Sequence, residues 1–355
     1  MRPALAALGI TALAMAGCRH APAPDGLTLL ADSHRAEESL CYTSREVNEQ
    51  VVTRDWPGTG SMPVMYGRPV TTLLVRTESP PHQERYEVLH SNASAADARM
   101  VRVRTGRAVW SFVPSQRRLE YASLPVTDMG PLNWYALILN NYRVEGVRED
   151  RVANLRAWYL EVRPKHPGRP MTRLWLDQAT YLPLRRELWG PDGVLISATQ
   201  VTQRPTQHAS SNPEDFRPPA SPRDPGVTTI LGDTDVPADT PGAPPLAAWA
   251  GGALGRFTEM PAGFRVVGAY LHDCPDTFGH CARWEMTDGI ATVSVIQTRA
   301  NTEALHDSMA PEDVQGSIET VRRGPFHFIV QGNVSSRELR RIANGIRLES
   351  PARPR

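Results

Sequence analysis

The chain has 355 residues, too many for one ordinary hydrophobic core, so two domains are expected. Its 39 Lys and Arg against 38 Asp and Glu give a formal charge of +1 at pH 7 with no basic run, which excludes the electrostatic footprint of a nucleic-acid partner. Hydrophobic residues make up 41%, ordinary for a soluble protein, and 32 prolines point to linkers and rigid loops.

At the N-terminus, Met1-Arg2 supplies a positive charge, and an apolar stretch from Ala4 to Ala16 follows that is too short to span a bilayer. This is the pattern of a secretory leader. Met15-Ala16-Gly17-Cys18 resembles a bacterial lipobox, in which the cysteine receives diacylglycerol and becomes the mature N-terminus. The weaker reading is an ordinary leader with Cys18 incidental; small residues at the cleavage positions favour lipidation. Arg19 rather than Asp follows the cysteine, which by analogy with Gram-negative lipoprotein sorting points to the outer membrane. Residues 1–18 are therefore read as the leader and 19–28 as a tether. No other segment is long and apolar enough to cross a membrane. The folded part is expected in the periplasm or cell envelope, its membrane contact made through the N-terminal lipid anchor.

Next in order, Leu29 to Glu38 reads as a short helix and Ser39 to Arg54 as a first long strand or hairpin. Cys41 lies in that strand and reads as a small buried hydrophobe. Strands at Thr71–Thr77 and Glu84–His90 follow, then a hairpin over Met100–Val113 turning at Thr105-Gly106. Leu132–Tyr142 is a helix apolar nearly all the way round, so it needs cover on several faces. Four more strands, Leu155–Arg163, Thr172–Asp177, Tyr181–Leu188 and Val194–Val201, are joined by turn chemistry. So many consecutive strands make an antiparallel meander, and a sheet of this size curves strongly. Residues 29–216 form this first domain. From 217 to 250 Pro, Asp and Gly dominate without a period, as in a linker.

Residues 251–350 read as a small α+β domain. Its strands are Phe264–His272, Ala282–Met286, Ile290–Gln297 and Phe326–Gln331, with Thr287-Asp288-Gly289 as a hairpin turn. Ser335 with Glu338 forms a capping box that opens a helix burying Leu339, Ile342, Ala343 and Ile346. Cys274 and Cys281 flank a short loop between two strands, which suits a local disulfide in an oxidising compartment worth about 2.5 kcal/mol on the chain-entropy model. A metal site from His272, Cys274, His280 and Cys281 is the alternative, but its spacing fits no usual zinc signature.

A search for chemistry yields nothing that assembles a catalytic site. There is no Gly-x-Ser-x-Gly, no His-Glu-x-x-His, no Walker A loop and no dinucleotide fingerprint. No catalytic residue, metal or cofactor is assigned, and the chain is expected to work by binding rather than as an enzyme.

The segment Asn141–Gly193 carries a resemblance. Tyr142-Arg143-Val144, Arg151-Val152-Ala153, a strand ending in Val162-Arg163-Pro164-Lys165, Leu174-Trp175-Leu176-Asp177 and Leu182-Pro183-Leu184-Arg185 follow in order. In the second half come Pro261-Ala262-Gly263-Phe264, Thr287-Asp288-Gly289-Ile290 and Gly332-Asn333-Val334. Together they resemble the RseB/MucB family of sigma-E regulatory proteins, whose N-terminal domain is similar to the lipoprotein carriers LolA and LolB. The resemblance implies an α+β fold: a half-barrel of curved antiparallel sheet around helices, with an apolar concavity, plus a smaller α+β domain. It implies a protein that senses envelope state or lipid-type ligands and binds the periplasmic segment of an anti-sigma factor in an envelope stress response. A carrier or receptor for lipid or lipoprotein, using the same cavity for acyl chains, is the alternative. Candidate lining residues are Trp110, Phe112, Tyr121, Trp134 and Leu137, followed by Ile138, Tyr142, Trp158 and Trp175, part of which would be plain core. Two features depart from the family pattern: the lipid anchor, and Asn154-Leu155 where related chains have Gly and a basic residue.

Overall fold

The computed structural model describes residues 24–50, 53–54, 65–66, 70–80, 83–92, 99–123, 131–221, 223–234, 236–237, 253–274, 279–299 and 317–349. The leader and Cys18 lie outside the described residues, as do the side chains of His272, Cys274 and His280.

Helix α1 (Gly26–Ser39) starts at Asp25, whose carboxylate accepts the Thr28 N–H, and it buries Leu29, Leu30, Ser33 and Ala36. The chain then runs through β1 (Cys41–Gln50), the short pair β2 (Thr53–Arg54) and β3 (Met65–Tyr66), and β4 (Val70–Ser79). It continues with β5 (Gln83–Ser91), β6 (Val101–Thr105), β7 (Ala108–Val113) and β8 (Arg118–Ser123). Helix α2 (Pro131–Asn141) leads directly into β9 (Tyr142–Val152), then β10 (Leu155–Pro164) and β11 (Met171–Asp177). After these come β12 (Pro183–Trp189), β13 (Leu195–Val201) and β14 (Thr206–His208).

Strand β1 joins two meanders into one thirteen-stranded sheet, pairing with β4 on one side and β13 on the other. This closes the domain: the first strand is paired at once to an early and a late hairpin series, and the sheet wraps α1 and α2. The β9–β10 connection is a two-residue turn with Ala153 at φ 48° and Asn154 at φ 63°, the conformation a type I′ hairpin demands. Asn154 tolerates it, which accounts for the departure from glycine there.

The Pro-rich stretch after the first domain is not wholly irregular. Strand β15 (Thr228–Thr234) lies parallel to β8, and β16 (Val236–Pro237) pairs with β18 of the second domain. The β-branched Thr228, Thr229 and Ile230, with Leu231, cover what would otherwise be an open sheet edge.

The second domain contains β17 (Leu254–Phe257), β18 (Arg265–Cys274), β19 (Gly279–Thr287), β20 (Thr292–Thr298), β21 (Ser317–Arg323) and β22 (Phe326–Gly332). Helix α3 (Ser336–Gly345) and β23 (Ile346–Glu349) finish it, with β23 paired to β17. The sheet order is β16-β18-β19-β20-β22-β21. Ser335 caps α3 by accepting the Glu338 N–H, one half of the capping box; its own N–H goes to the Gly168 carbonyl and the Glu338 carboxylate turns to Arg169 instead. The helix seals Leu339, Ile342 and Ala343 against Phe326, Phe328, Val293 and Val295. Burying each such side chain contributes about 1.5–3 kcal/mol, enough to make this a core of its own.

A candidate ligand cavity at the junction of the domains

Between the two helices and the inner face of the sheet lies a cavity of about 350 Å³. Helix α1 contributes Leu30, Ser33, His34 and Glu37, and α2 contributes Trp134, Tyr135 and Ile138. Alternation along the strands presents Val162, Thr172, Leu174, Leu188, Ser197 and Thr199 to the same space. His34 stacks on Tyr135 at 5.7 Å, and the Arg186 guanidinium meets Glu37 at 2.8 Å. The remaining wall comes from the other domain: Gly289 and Ile290, in the turn between β19 and β20. Gly289 stands so close to α2 that a Cβ there would lie 2.8 Å from the Ile138 side chain and from its backbone nitrogen.

That turn is held by a buried polar network. Asp288 and Arg169 are each 1% exposed and form an ion pair. Arg169, in the loop between β10 and β11, also donates to the Ala262 carbonyl at 3.1 Å and to Glu338 at 3.3 Å, and lies over the Phe264 ring. Tyr142 donates its hydroxyl to the Asp288 carboxylate, and Asp288 accepts the Ile290 and Ala291 N–H groups. Burial, and then the Asp288 charge, push the Tyr142 phenol far above its ordinary range, so it stays a neutral donor. The Asn141 amide reaches the carbonyls of Leu137, Gly263 and Asp288 at 3.0–3.1 Å. Asp288 thus does two jobs: it shapes the hairpin tip that closes the cavity, and it binds that tip to the first domain.

Of the aromatic and aliphatic residues predicted from sequence, Trp134 and Ile138 line the cavity. Leu137 is buried beside them, and Tyr142 serves the junction. Trp158 packs on the core formed by Leu29, Leu160, Leu174 and Leu176. Trp175 faces Tyr159 and donates to Asp150 at 2.9 Å, a bond that holds the Asp150 carboxyl below its ordinary range. Trp110 and Tyr121 pack on each other in β7 and β8, with Phe112 half-buried nearby. Sequence reasoning missed His34, Glu37 and the β11–β13 residues, whose signal was only the alternation of each strand, and missed Ile290 entirely. Cys281 is fully buried and disulfide-bonded, while Cys41 is free and half-buried, 3.8 Å from the Ser79 hydroxyl.

Residues 78–220 match the family model of the MucB/RseB N-terminal domain. Beyond that domain the likeness extends through both lobes. The MucA/MucB complex of Pseudomonas aeruginosa is similar with a TM-score of 0.58 at 20% identity, covering 92% of this chain and 100% of that one. MucB in complex with MucA(peri) gives 0.56, again at 20% identity, with 92% and 100% covered. A crystal structure of MucB gives 0.55 at 20% identity, with 92% and 98% covered. At this identity the likeness establishes the shared two-domain fold. No curated protein sequence matches the chain. The α2 and strand residues of the cavity wall fall within residues 78–220, whereas Leu30, Ser33, His34 and Glu37 of α1 and the second-domain turn lie outside them.

Proposed function

We propose that this chain is an envelope binding protein that holds the periplasmic segment of an anti-sigma factor and responds to an apolar, lipid-type ligand. The observation that carries this reading is the shared wall of the cavity: α1, α2 and the sheet on one side, Gly289 and Ile290 on the other. A ligand entering there presses on the turn whose Asp288 ties the lobes together. Occupancy and lobe arrangement are then linked, and a ligand shifts that equilibrium by its differential affinity for the two states. The partner is carried over from MucB, which is bound to MucA in the Pseudomonas aeruginosa complex. The test is to mix the purified mature chain with the periplasmic segment of each anti-sigma factor its genome encodes. Co-elution of one segment in a stoichiometric complex is the expected result; failure of all of them sinks the reading.

We further read Cys18 as the lipid anchor and Cys274 as the disulfide partner of Cys281. Replacing Cys18 with Ala is expected to move the protein from the membrane pellet to the soluble fraction, because the acyl chains are the durable attachment. Equal pelleting of both forms would remove the anchor from this account.

A further inference from the structure

The strand register sorts the wall of the junction cavity by polarity. One row of side chains crosses β10 to β13 as Val162, Thr172, Leu188 and Ser197. The next row on the same face runs Leu160, Leu174, Arg186 and Thr199. At the β10–β11 end, Leu30, Val162 and Leu174 share one core with Ile138 and, from the second domain, Ile290. At the β13 end stand Ser197, Thr199 and the Glu37–Arg186 ion pair. Neighbouring strands lie about 4.8 Å apart, so roughly 14 Å separates the two ends. Helix α1 repeats the order, with Leu30, Ser33 and Glu37 on one face at helical spacing. The Arg186 side chain is 49% exposed, so the polar end is the one that meets solvent.

The charges in this wall are already matched: Arg186 meets Glu37, and His34 stands 3.6 Å from the Glu38 carboxylate. The hydroxyls are not. Ser33, 3% exposed, and Thr172, 9% exposed, make no side-chain hydrogen bond with another described residue, and neither does Ser197. The Thr199 hydroxyl has Asn48 at 3.5 Å. A bare hydrocarbon would seal the free hydroxyls without partners, and a carboxylate would enter with no unpaired cation to meet it; both are costly. We propose that the cavity takes a single-chain acyl ester of an uncharged polyol. Its chain points toward Ile290, its ester lies between Ser33 and Thr172, and its head hydroxyls reach Ser197 and Thr199. The cavity of about 350 Å³ is at the low end of ligand pockets, roughly 300–1,000 Å³, which suits one chain rather than two. The assignment rests on the lipid-type reading of the cavity and specifies its ligand.

The experiment is calorimetric titration of the full mature chain, below the critical micelle concentrations and near neutral pH, with 1-decanoylglycerol and with decanoate. The glycerol ester is expected to bind about tenfold tighter or more, the worth of one or two neutral hydrogen bonds. The double variant Thr172→Val with Ser197→Ala is expected to lose most of that advantage. It is also expected to keep the thermal midpoint of the unaltered protein, since neither hydroxyl has a hydrogen bond to lose. Decanoate binding as tightly as the ester, or tighter, overturns the uncharged head and leaves the lipid reading standing. Failure of both ligands to bind overturns the two together. An ester advantage that survives in the double variant, or a midpoint that falls by more than a few degrees, overturns the assignment to these hydroxyls.

Discussion

Replacing Arg169 with Ala is expected to reduce the unfolding free energy by about 3–5 kcal/mol, the range for removing one partner of a buried ion pair. Asp288 is 1% exposed and would lose the one guanidinium it meets among the described residues, with Tyr142 and two backbone N–H groups left to hold the charge. The Ala262 carbonyl and Glu338 would lose a donor in the same step. Urea unfolding followed by tryptophan fluorescence measures the loss. Because Arg169 belongs to the first lobe and Asp288 to the second, a single cooperative transition is expected to broaden or separate into two. The double variant Arg169→Met with Asp288→Asn removes both charges, so it is expected to be less destabilised than Arg169→Ala. A loss under about 1 kcal/mol for Arg169→Ala would show that the junction does not depend on this pair.

Gly263→Ala attacks the same junction by shape rather than charge. Gly263 has φ +81°, and a Cβ on it would stand 1.8 Å from the Asn141 Oδ1 atom. No rotamer adjustment of a methyl relieves that overlap, so the Asn141 amide must leave. It would abandon the Gly263 and Asp288 carbonyls, both contributed by the second domain. The left-handed backbone costs about 1–2 kcal/mol for a residue with a Cβ, and each buried carbonyl left unpaired roughly 1–3 more. A total of about 3–8 kcal/mol is expected on those figures, measured as a fall in the thermal midpoint. Asn141→Ala alone removes the hydrogen bonds without the clash. Adding it to Gly263→Ala is therefore expected to cost little further, a non-additivity that identifies the contact. Full additivity of the two would contradict it.

Both results bear on function because the junction and the cavity share one turn. Ile290 lines the cavity, and Asp288, two residues before it, is the hub of the buried network. Loosening the network is expected to alter how the cavity is closed, so the same variants serve as probes of partner release once a partner segment is in hand.

The architecture was readable in the sequence wherever a local signal existed. Turn residues, strand alternation and the Ser335–Glu338 capping box determined the meander, the small second domain and its closing helix. Such signals act within a few residues, so they survive without knowledge of the fold. The strand Thr228–Thr234 escaped notice because its partner, β8, lies more than a hundred positions earlier and its flanks are rich in Pro and Asp. The cavity was legible only in part. Large aromatics were chosen for their bulk, yet bulk does not say which face of a strand a residue takes; Trp175 points to Tyr159 and Asp150 rather than into the hollow. Its walls are built instead from modest residues such as Ser33, Thr172, Ser197 and Thr199.

What the sequence by itself determined is the class of object: many paired strands and two cores. Only the tertiary structure decided that Asp288, in appearance a turn residue, meets Arg169, Tyr142 and Asn141 across more than a hundred residues of chain. The reason is physical. Hydrogen bonds and charges are short-ranged in space but indifferent to sequence separation, so a junction between lobes leaves no period or spacing to read.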